Sequence, residues 1–557
     1  MSLSLTGMQG LHGLIGRVRW LLRDDFCDTR AAGAVDGTPA TPGPGTRTVV
    51  DTGNHMSVNG DFLTTDGSVA TGDPRCYYNV VFTRQAGLVA LCDIETNSRI
   101  YFGFDSGVGA EPDLAALSFN GTPLFAWDGG VARQVGTIVL GAKYKLGIVL
   151  RTSGLYCFIK GQAFTHWTLL WFSAANNTAN LYLGACGRTG TLDSDFIRVP
   201  DALWLPNPLA HDSFTRANGP LGSTEDTGPD GQPSTIRVWQ LGGATWAVSA
   251  NEAVNTPTLG SEELTNGNFT AWTGDDPDNW SVLLEDVNNY VTENPANNAQ
   301  VVSDGSAGVN LRQSCMGEGW FRIQAVVSAH AVGGLKIYNT DGEWIFQSGK
   351  PNAVGTWESS QYNSGVGMSL IVQAAAACDI TLDSVSVKRL TTKELFSAVQ
   401  VATADVLASV EIDAMPVSGT EYAQAGLMLN LDDPDNPQNY VLVLMDTAPL
   451  SLGFVRIHKW VAGVRTNVAN TSVAYVPGAT LVAVKDGTSY SVYYNNSLVG
   501  TTQTIADAGI INNTLHGMFS THEDNQLDNF QVFARGTGNE YNRLDAWSFD
   551  GNCAACV

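Results

Sequence analysis

ELTNGNFTAWTGDDPDNW, residues 263–280, decides how this chain is divided. A small-polar turn runs into Asn-Gly, an aromatic, an acidic loop holding a proline and a second tryptophan, the grammar of a segment that opens a β module. Two similar openings precede it, RDDFCDTRAAGAVDG from Arg23 and HDSFTRANGPLGSTEDTG from His211. Three closing strands, each an acidic turn followed by alternating apolar residues, stand at LDSDFIRV (192–199), LDSVSVKRL (382–390) and LDNFQVF (527–533). The first opening closes at Val199 and the one at Glu263 closes at Lys388, so the opening at Asp212 waits until Asp528. Residues 257–390 are therefore expected to be a module inserted in another. A host accepts this when the insert's termini lie close together at an exposed loop. On this reading the host's sheets are complete without the insert, and a short linker in its place leaves a folded host.

Internal repeats carry the fold class. GLVALCDIETNSRIYFGFD (87–105) and GLMLNLDDPDNPQNYVLVLM (426–445) share the order strand, Asp-bearing loop, strand. YKLGIVLRTSGLYCFIKGQAF (144–164) and TLVAVKDGTSYSVYYNNSLV (480–499) each place two alternating strands around a Gly turn, which is hairpin patterning. The expected class is all-β: tandem antiparallel jelly-roll β-sandwiches, one inserted into another. The expected division is a docking segment at 1–22, a first sandwich at 23–205, a discontinuous second one at 206–256 and 391–540, the insert at 257–390, and a C-terminal tail at 541–557.

Composition narrows the partners. Thirty Lys and Arg stand against 54 Asp and Glu, a net charge of −24, which repels phosphate backbones and anionic lipid. Nucleic acid is not expected as a partner, nor is membrane insertion, because no apolar run approaches the ~18 residues of a spanning helix. Leu5, Met8, Leu11, Leu14, Ile15, Val18, Leu21 and Leu22 recur at helical spacing, which predicts a short docking helix, and no basic stretch precedes them as in a secretory signal. Nine cysteines are scattered without a framework. They are expected to be reduced, and Cys553 and Cys556 in the terminal C-x-x-C lack a second pair to complete a zinc site.

No catalytic template is met. There is no Gly-x-Ser-x-Gly elbow, His-Glu-x-x-His or phosphate loop, and the eight histidines are dispersed. SVEIDAMPV sets Glu411 and Asp413 on alternate positions of a strand, and resembles the Glu-x-Asp-x-Glu motif of family-16 glycosidases. Met415 stands where the last carboxylate belongs, so the acid/base is missing and no catalytic residue is assigned. LDDPDNPQN (431–439) gathers Asp432, Asp433 and Asp435 as hard oxygen donors suited to calcium, without an EF-hand register.

Segments 23–205 and 206–256 with 391–540 resemble concanavalin- or laminin-G-type jelly rolls, through DSFTRANGPLG, the GLMLNL and YVLVLM pair and the LDNFQVF close. The opening also resembles those of bacteriophage tail and appendage proteins. Segment 257–390 resembles the family 4/9/22 type of carbohydrate-binding jelly roll, through LTNGNFTAW, DNWSV, GTWESSQYNSG and ITLDSVSVKRL. The second resemblance implies a structural calcium near Asn268 and Asp383, and places Trp272, Trp280 and Trp357 in the core. A sugar needs an exposed aromatic platform with polar groups beside it. The hairpin 334–349 offers Tyr338 and Trp344 beside Asn339, Asp341 and Gln347. Together these features imply a non-enzymatic virion appendage or surface protein of a bacteriophage, trimeric as such appendages often are. It would assemble with other virion proteins in the host cytoplasm and adhere to a cell-surface glycan. The alternatives are a purely structural decoration protein, a secreted bacterial carbohydrate-binding protein and an inactive glycosidase.

Overall fold

Short runs of alternating residues between Gly, Asn and Asp turns form strands, and in the computed structural model the chain is almost entirely antiparallel β-sheet. The structure describes residues 19–548 apart from 61, 67–73, 97–98, 108–111, 190, 341–343, 347, 366, 417–419, 448–452 and 539. Most of the segment 1–22 and both terminal cysteines therefore lie outside the described residues. Of the described cysteines, Cys76, Cys92, Cys157, Cys315 and Cys378 are free thiols. Two compact units form, one of residues 1–207, 229–232 and 534–557, the other of residues 208–228 and 233–533.

The first unit holds a nine-stranded and a seven-stranded sheet. Its opening strand Trp20–Asp24, which begins inside the expected docking segment, pairs with the closing strand Leu192–Pro200. Asp24 and Arg47 are both fully buried. The Arg47 guanidinium donates from Nε and Nη2 to the two Asp24 carboxylate oxygens, each at 2.7 Å, and also to Asp28. Asp24 Oδ1 further accepts the amide of Phe26 at 3.2 Å. That turn sets Phe26 at φ +50°, a left-handed conformation rare for a bulky residue, with its ring fully buried.

Two departures from the sequence reading share one cause, which is that the outer face of this sandwich needs cover. Residues 541–548 are not a free tail. Tyr541 is buried with its ring edge-on to Phe158 at 4.9 Å, and a short helix, Arg543–Trp547, follows it. Asp545 accepts from Lys160 Nζ at 2.6 Å and Trp167 Nε1 at 3.0 Å. Residues 229–232, expected in the second sandwich, also belong to this unit. Asp230 accepts from the buried Arg151 at 2.7 Å and from the Tyr156 hydroxyl at 2.8 Å. A buried guanidinium without such a partner would be strongly destabilising.

In the second unit the strand Ala210–Asp212 pairs with Gln526–Ala534 across more than three hundred residues of chain. A ten-stranded sheet combines strands from 210–255 and 406–534, and a seven-stranded sheet joins Gln240–Leu241 to strands within 396–520. Asp212 repeats the turn of Asp24. Its Oδ1 accepts the amide of Phe214 at 3.0 Å, Arg216 pairs with the carboxylate, and Phe214 sits at φ +51°. Between these chain segments, residues 259–390 form a five-stranded sheet, a two-stranded hairpin and six strands of a seven-stranded sheet around a separate core. There the strand Leu259–Glu262 pairs with Cys378–Leu390. Trp280 and Trp357 lie in that core and Trp272 packs against it.

QAGLMLNL (Gln424–Leu431) and YVLVLMD (Tyr440–Asp446) are buried at every position, as strands with both faces covered must be. Leu427, Leu429, Val441 and Val443 face the host core. Met428, Leu442 and Leu444 belong instead to a second cluster with Trp320, Tyr362 and Leu390 of the insert and Trp460 and Phe519 of the host. Trp320 stacks on Trp460 with ring centres 6.3 Å apart, and Tyr362 meets Trp460 edge-on at 5.3 Å. The insert also takes Glu421–Tyr422 of the host as a parallel strand beside Gly355–Asn363.

Two predictions follow from this packing. Asp24→Ala strands the buried Arg47 and should destabilise the first unit by about 3–5 kcal/mol, read by urea unfolding; a loss below about 1 kcal/mol would mean Asp28 alone suffices. Excising 257–390 leaves the host sheets paired, yet bares Met428, Leu442, Leu444, Trp460 and Phe519. Against the sequence expectation, the excised host should aggregate on size-exclusion chromatography and become soluble only when Met428, Leu442 and Leu444 are made polar.

Candidate functional site

The five-stranded sheet of the insert runs in the order Ser281–Leu283, Asn310–Met316, Met368–Ala374, Leu335–Asn339, Trp344–Phe346. Alternation sends Leu311, Leu370, Val372, Leu335, Ile337 and Phe346 into the core, which leaves the intervening residues on the outer face. Register aligns these in two rows. One is Ser281, Arg312, Ile371, Tyr338, and the other is Leu283, Asn310, Gln373, Lys336. Tyr338 is half-buried, and its hydroxyl donates to Gln373 Oε1 at 2.8 Å. The Gln373 amide in turn donates to the Gly308 carbonyl at 3.0 Å, so both side chains are held in place. Burial raises the Tyr338 pKa and the Arg312 charge opposes it, so the exposed guanidinium lies within electrostatic reach of the ring.

Of the expected sugar-binding residues, Tyr338 lies on this face and Trp344 is its register partner on the neighbouring strand. The Trp344 side chain, Asp341 and Gln347 lie outside the described residues. Asn339 is a correction. Its place is one step out of phase with Tyr338, so it is buried, and its amide donates to Asn363 Oδ1 at 2.9 Å. Arg312, Gln373 and Lys336 were not singled out from the sequence. The signal for Lys336 and Tyr338 was their alternation with Leu335 and Ile337 in LKIYN, whereas Arg312 sits in the polar run RQS and Gln373 follows the apolar run LIV, so both show an outward place only once the sheet's partners are known.

The expected calcium ligands are not brought together. Asp432 Oδ1 accepts the Asp433 and Gln438 amides, its Oδ2 accepts from Asn439 at 2.7 Å, and Asp433 accepts the Asp435 amide. These bonds shape the turn. Asp383 and Asn268 are exposed, with Asn268 accepting from the Thr270 hydroxyl. Among the described residues no group of three or more His, Cys, Asp and Glu side chains could hold a metal ion.

Glu411 and Asp413 instead join Glu252 and Asp528, two carboxylates distant in sequence, on the face of the ten-stranded sheet away from the core. Asn529 Nδ2 bridges Glu411 and Asp528 at 3.0 and 3.1 Å. Burial, a hydrogen bond to Asp413 and the charges of Asp413, Asp528 and Glu411 push Glu252 up to about 7. Asp528 rises to about 6, chiefly through burial and then through Glu411 and Asp413. A retaining glycosidase holds its carboxyl groups roughly 5–5.5 Å apart to admit the sugar carbon. In this cluster Glu252 and Asp413 interact directly with each other, and Met415 stands on the same strand as Glu411 and Asp413 where the third carboxylate of the glycosidase motif would be.

No family model matches the chain, and no curated protein is detectably similar. Solved structures resemble parts of it. Carbohydrate binding module CBM66 from Bacillus subtilis aligns over 25% of this chain and 80% of its own length, with 18% identity and a TM-score of 0.17. Rv0315, described as an immunostimulatory antigen and pseudo beta-1,3-glucanase of Mycobacterium tuberculosis, aligns over 33% of this chain and 99% of its own, with 12% identity and a score of 0.23. The exoplasmic/lumenal domain of VIP36, in its Ca2+/Man3GlcNAc-bound form, aligns over 27% and 82%, with 8% identity and a score of 0.23.

The carboxylate cluster has a testable pH signature. Glu252 and Asp528 carry folded-state pKa values above their ordinary ones, so between about pH 4 and 7 the folded state binds more protons than the unfolded state, and stability falls as pH rises. Both groups are largely or partly solvated, which limits the effect to the order of 1 kcal/mol. Glu252→Gln should raise the melting temperature near pH 8 and flatten its decline from about pH 5; an unchanged slope would show that the cluster does not titrate as a unit.

Proposed function

We propose that the chain is a non-enzymatic carbohydrate-binding protein whose glycan site is the outer face of the five-stranded sheet in 257–390. The observation that carries this reading is the pair of register rows that set Tyr338 against Ile371 and Gln373, with Lys336 two residues back on its strand and Arg312 one strand further, beyond Ile371. A pyranose presents an apolar C–H face for an aromatic ring and a rim of hydroxyls for amide and cationic donors. Side chains on a sheet keep fixed spacing, and the Tyr338–Gln373 bond pre-orients two of them. Binding then costs little side-chain ordering.

Two settings fit such a protein, a bacteriophage appendage and a secreted bacterial carbohydrate binder. The first draws only on the resemblance of the DSFTRANGPLG opening, and no feature of the fold favours it over the second. The non-enzymatic reading draws on Met415, which stands where the Glu-x-Asp-x-Glu motif has its last carboxylate.

On a glycan array, Tyr338→Ala and Arg312→Ala should each weaken binding by about tenfold or more, worth ~1.4 kcal/mol, with melting temperatures near that of the parent. Released sugar should be undetectable from any glycan bound. Intact binding in both variants would remove this face from consideration, and sugar release abolished by Glu411→Gln would make the protein an enzyme.

A further inference from the structure

A second surface of the insert has a different chemistry. The loop between Ser281–Leu283 and Tyr290–Glu293 exposes Leu283 at 44%, Leu284 at 61%, Val287 at 88% and Tyr290 at 36%. Isolated exposed apolar residues are ordinary, but a contiguous group on one loop marks a contact surface. The loop is held rigidly. Asn289 is fully buried, donates to Asp286 and to the Ser306 hydroxyl at 3.0 Å each, and accepts from the Ser303 hydroxyl at 2.7 Å and the Asp304 amide. Glu285 Oε1 accepts the Val291 amide at 2.8 Å. Leu284 stands at φ +67°, a strained conformation for a branched side chain that the surrounding bonds must maintain.

Carboxylates border this patch. Glu285 feels the charges of Asp276 and Asp275, and Asp286 that of Asp304. Anionic lipid and nucleic acid are repelled by such a border. Leu284 and Val287, the most exposed of the four, offer no flat face for a sugar ring. The strand Ser281–Leu283, from which the loop leaves, is an edge strand of its sheet, so its free side presents main-chain donors and acceptors that an extended polypeptide can pair with.

We infer that the 283–290 loop and its edge strand form a docking surface for a polypeptide segment carrying an apolar anchor flanked by Lys or Arg. The aliphatic anchor covers Leu284 and Val287, and the basic flanks meet Asp275, Asp276, Glu285 and Asp286. This surface adjoins the glycan face at Leu283, which lies in one of its register rows, but Leu284 and Val287 lie outside those rows.

The test uses the full chain and an array of synthetic peptides of about 12 residues, each with a central Leu-Val pair flanked by Lys/Arg, by Asp/Glu or by Ser. Binding to the Lys/Arg set should exceed that to the Asp/Glu set by about tenfold or more and weaken with added salt. Val287→Asp should abolish it. Leu284→Gly, which relieves the left-handed strain and so keeps the fold, should weaken it. Equal binding to all three sets, or binding indifferent to both substitutions, overturns the proposal. So does loss of array glycans in Val287→Asp, which would make the loop part of the sugar site. A change of oligomeric state in that variant would identify a second copy as the occupant instead.

Discussion

The contact of Trp320 and Tyr362 with Trp460 is the constraint on which the second unit depends. Tyr440 stacks on the other side of Trp460 with ring centres 4.7 Å apart, and Phe519 packs against Trp320 at 5.0 Å. These rings fill the space between the host's seven-stranded sheet and the insert. The host sheet is consequently apolar on both faces. The insert is at once a module with its own core and the cover for another module's sheet. Polar contacts complete the joint. Glu358 of the insert accepts from His522 Nε2 at 2.9 Å, and Arg322 pairs with Glu358 and with Glu523. Burial works to raise the Glu358 pKa, but the His522 bond and the Arg322 charge lower it, so the carboxylate stays ionised where an unpaired one would not.

How much of this could be read from sequence depends on the range of each interaction. The openings were legible because their chemistry is local. Asp24 and Asp212 bond the amide two residues on, and the Phe that follows turns left-handed and inward. The insert's Phe269 adopts φ +51° as well and is fully buried, which makes the three openings physically alike although the third lacks the aspartate. The closing strands were legible through alternation. The all-β class followed from both.

What remained hidden was set by partners far along the chain. Two-sided burial of Gln424–Leu431 was written in its unbroken apolar run, but the run does not say whether a neighbouring sheet or an inserted module covers the second face. Asp230 and Asp545 read as turn residues until Arg151, Lys160 and Trp167 stand opposite them. Asn339 was misplaced because hairpin chemistry suggests an exposed tip, whereas its register opposite Leu370 turns it inward. Glu411 and Asp413 are legible as an alternating pair, but Glu252 and Asp528, whose carboxyls their charges push up, come from strands that adjoin them only in the folded sheet.

The same packing bears on function. A carbohydrate site on a sheet face gains from rigidity, because each loose side chain must be ordered when the sugar binds. The insert is fixed to its host through an aromatic cluster, a main-chain strand pair and a buried ion-pair network, three contacts that differ in distance dependence and would all have to fail for it to rotate. The stacked rings and the parallel pair engage the other sheet of the insert, while the five-stranded sheet meets the host from its core side through Phe346, whose ring lies 5.9 Å from that of Tyr422. Division of labour between the two sheets therefore follows from topology. One is buried against the host and must be apolar there, as Trp320 and Leu390 are. The other carries Arg312, Tyr338, Lys336 and Gln373 on the face turned away from the insert's own core.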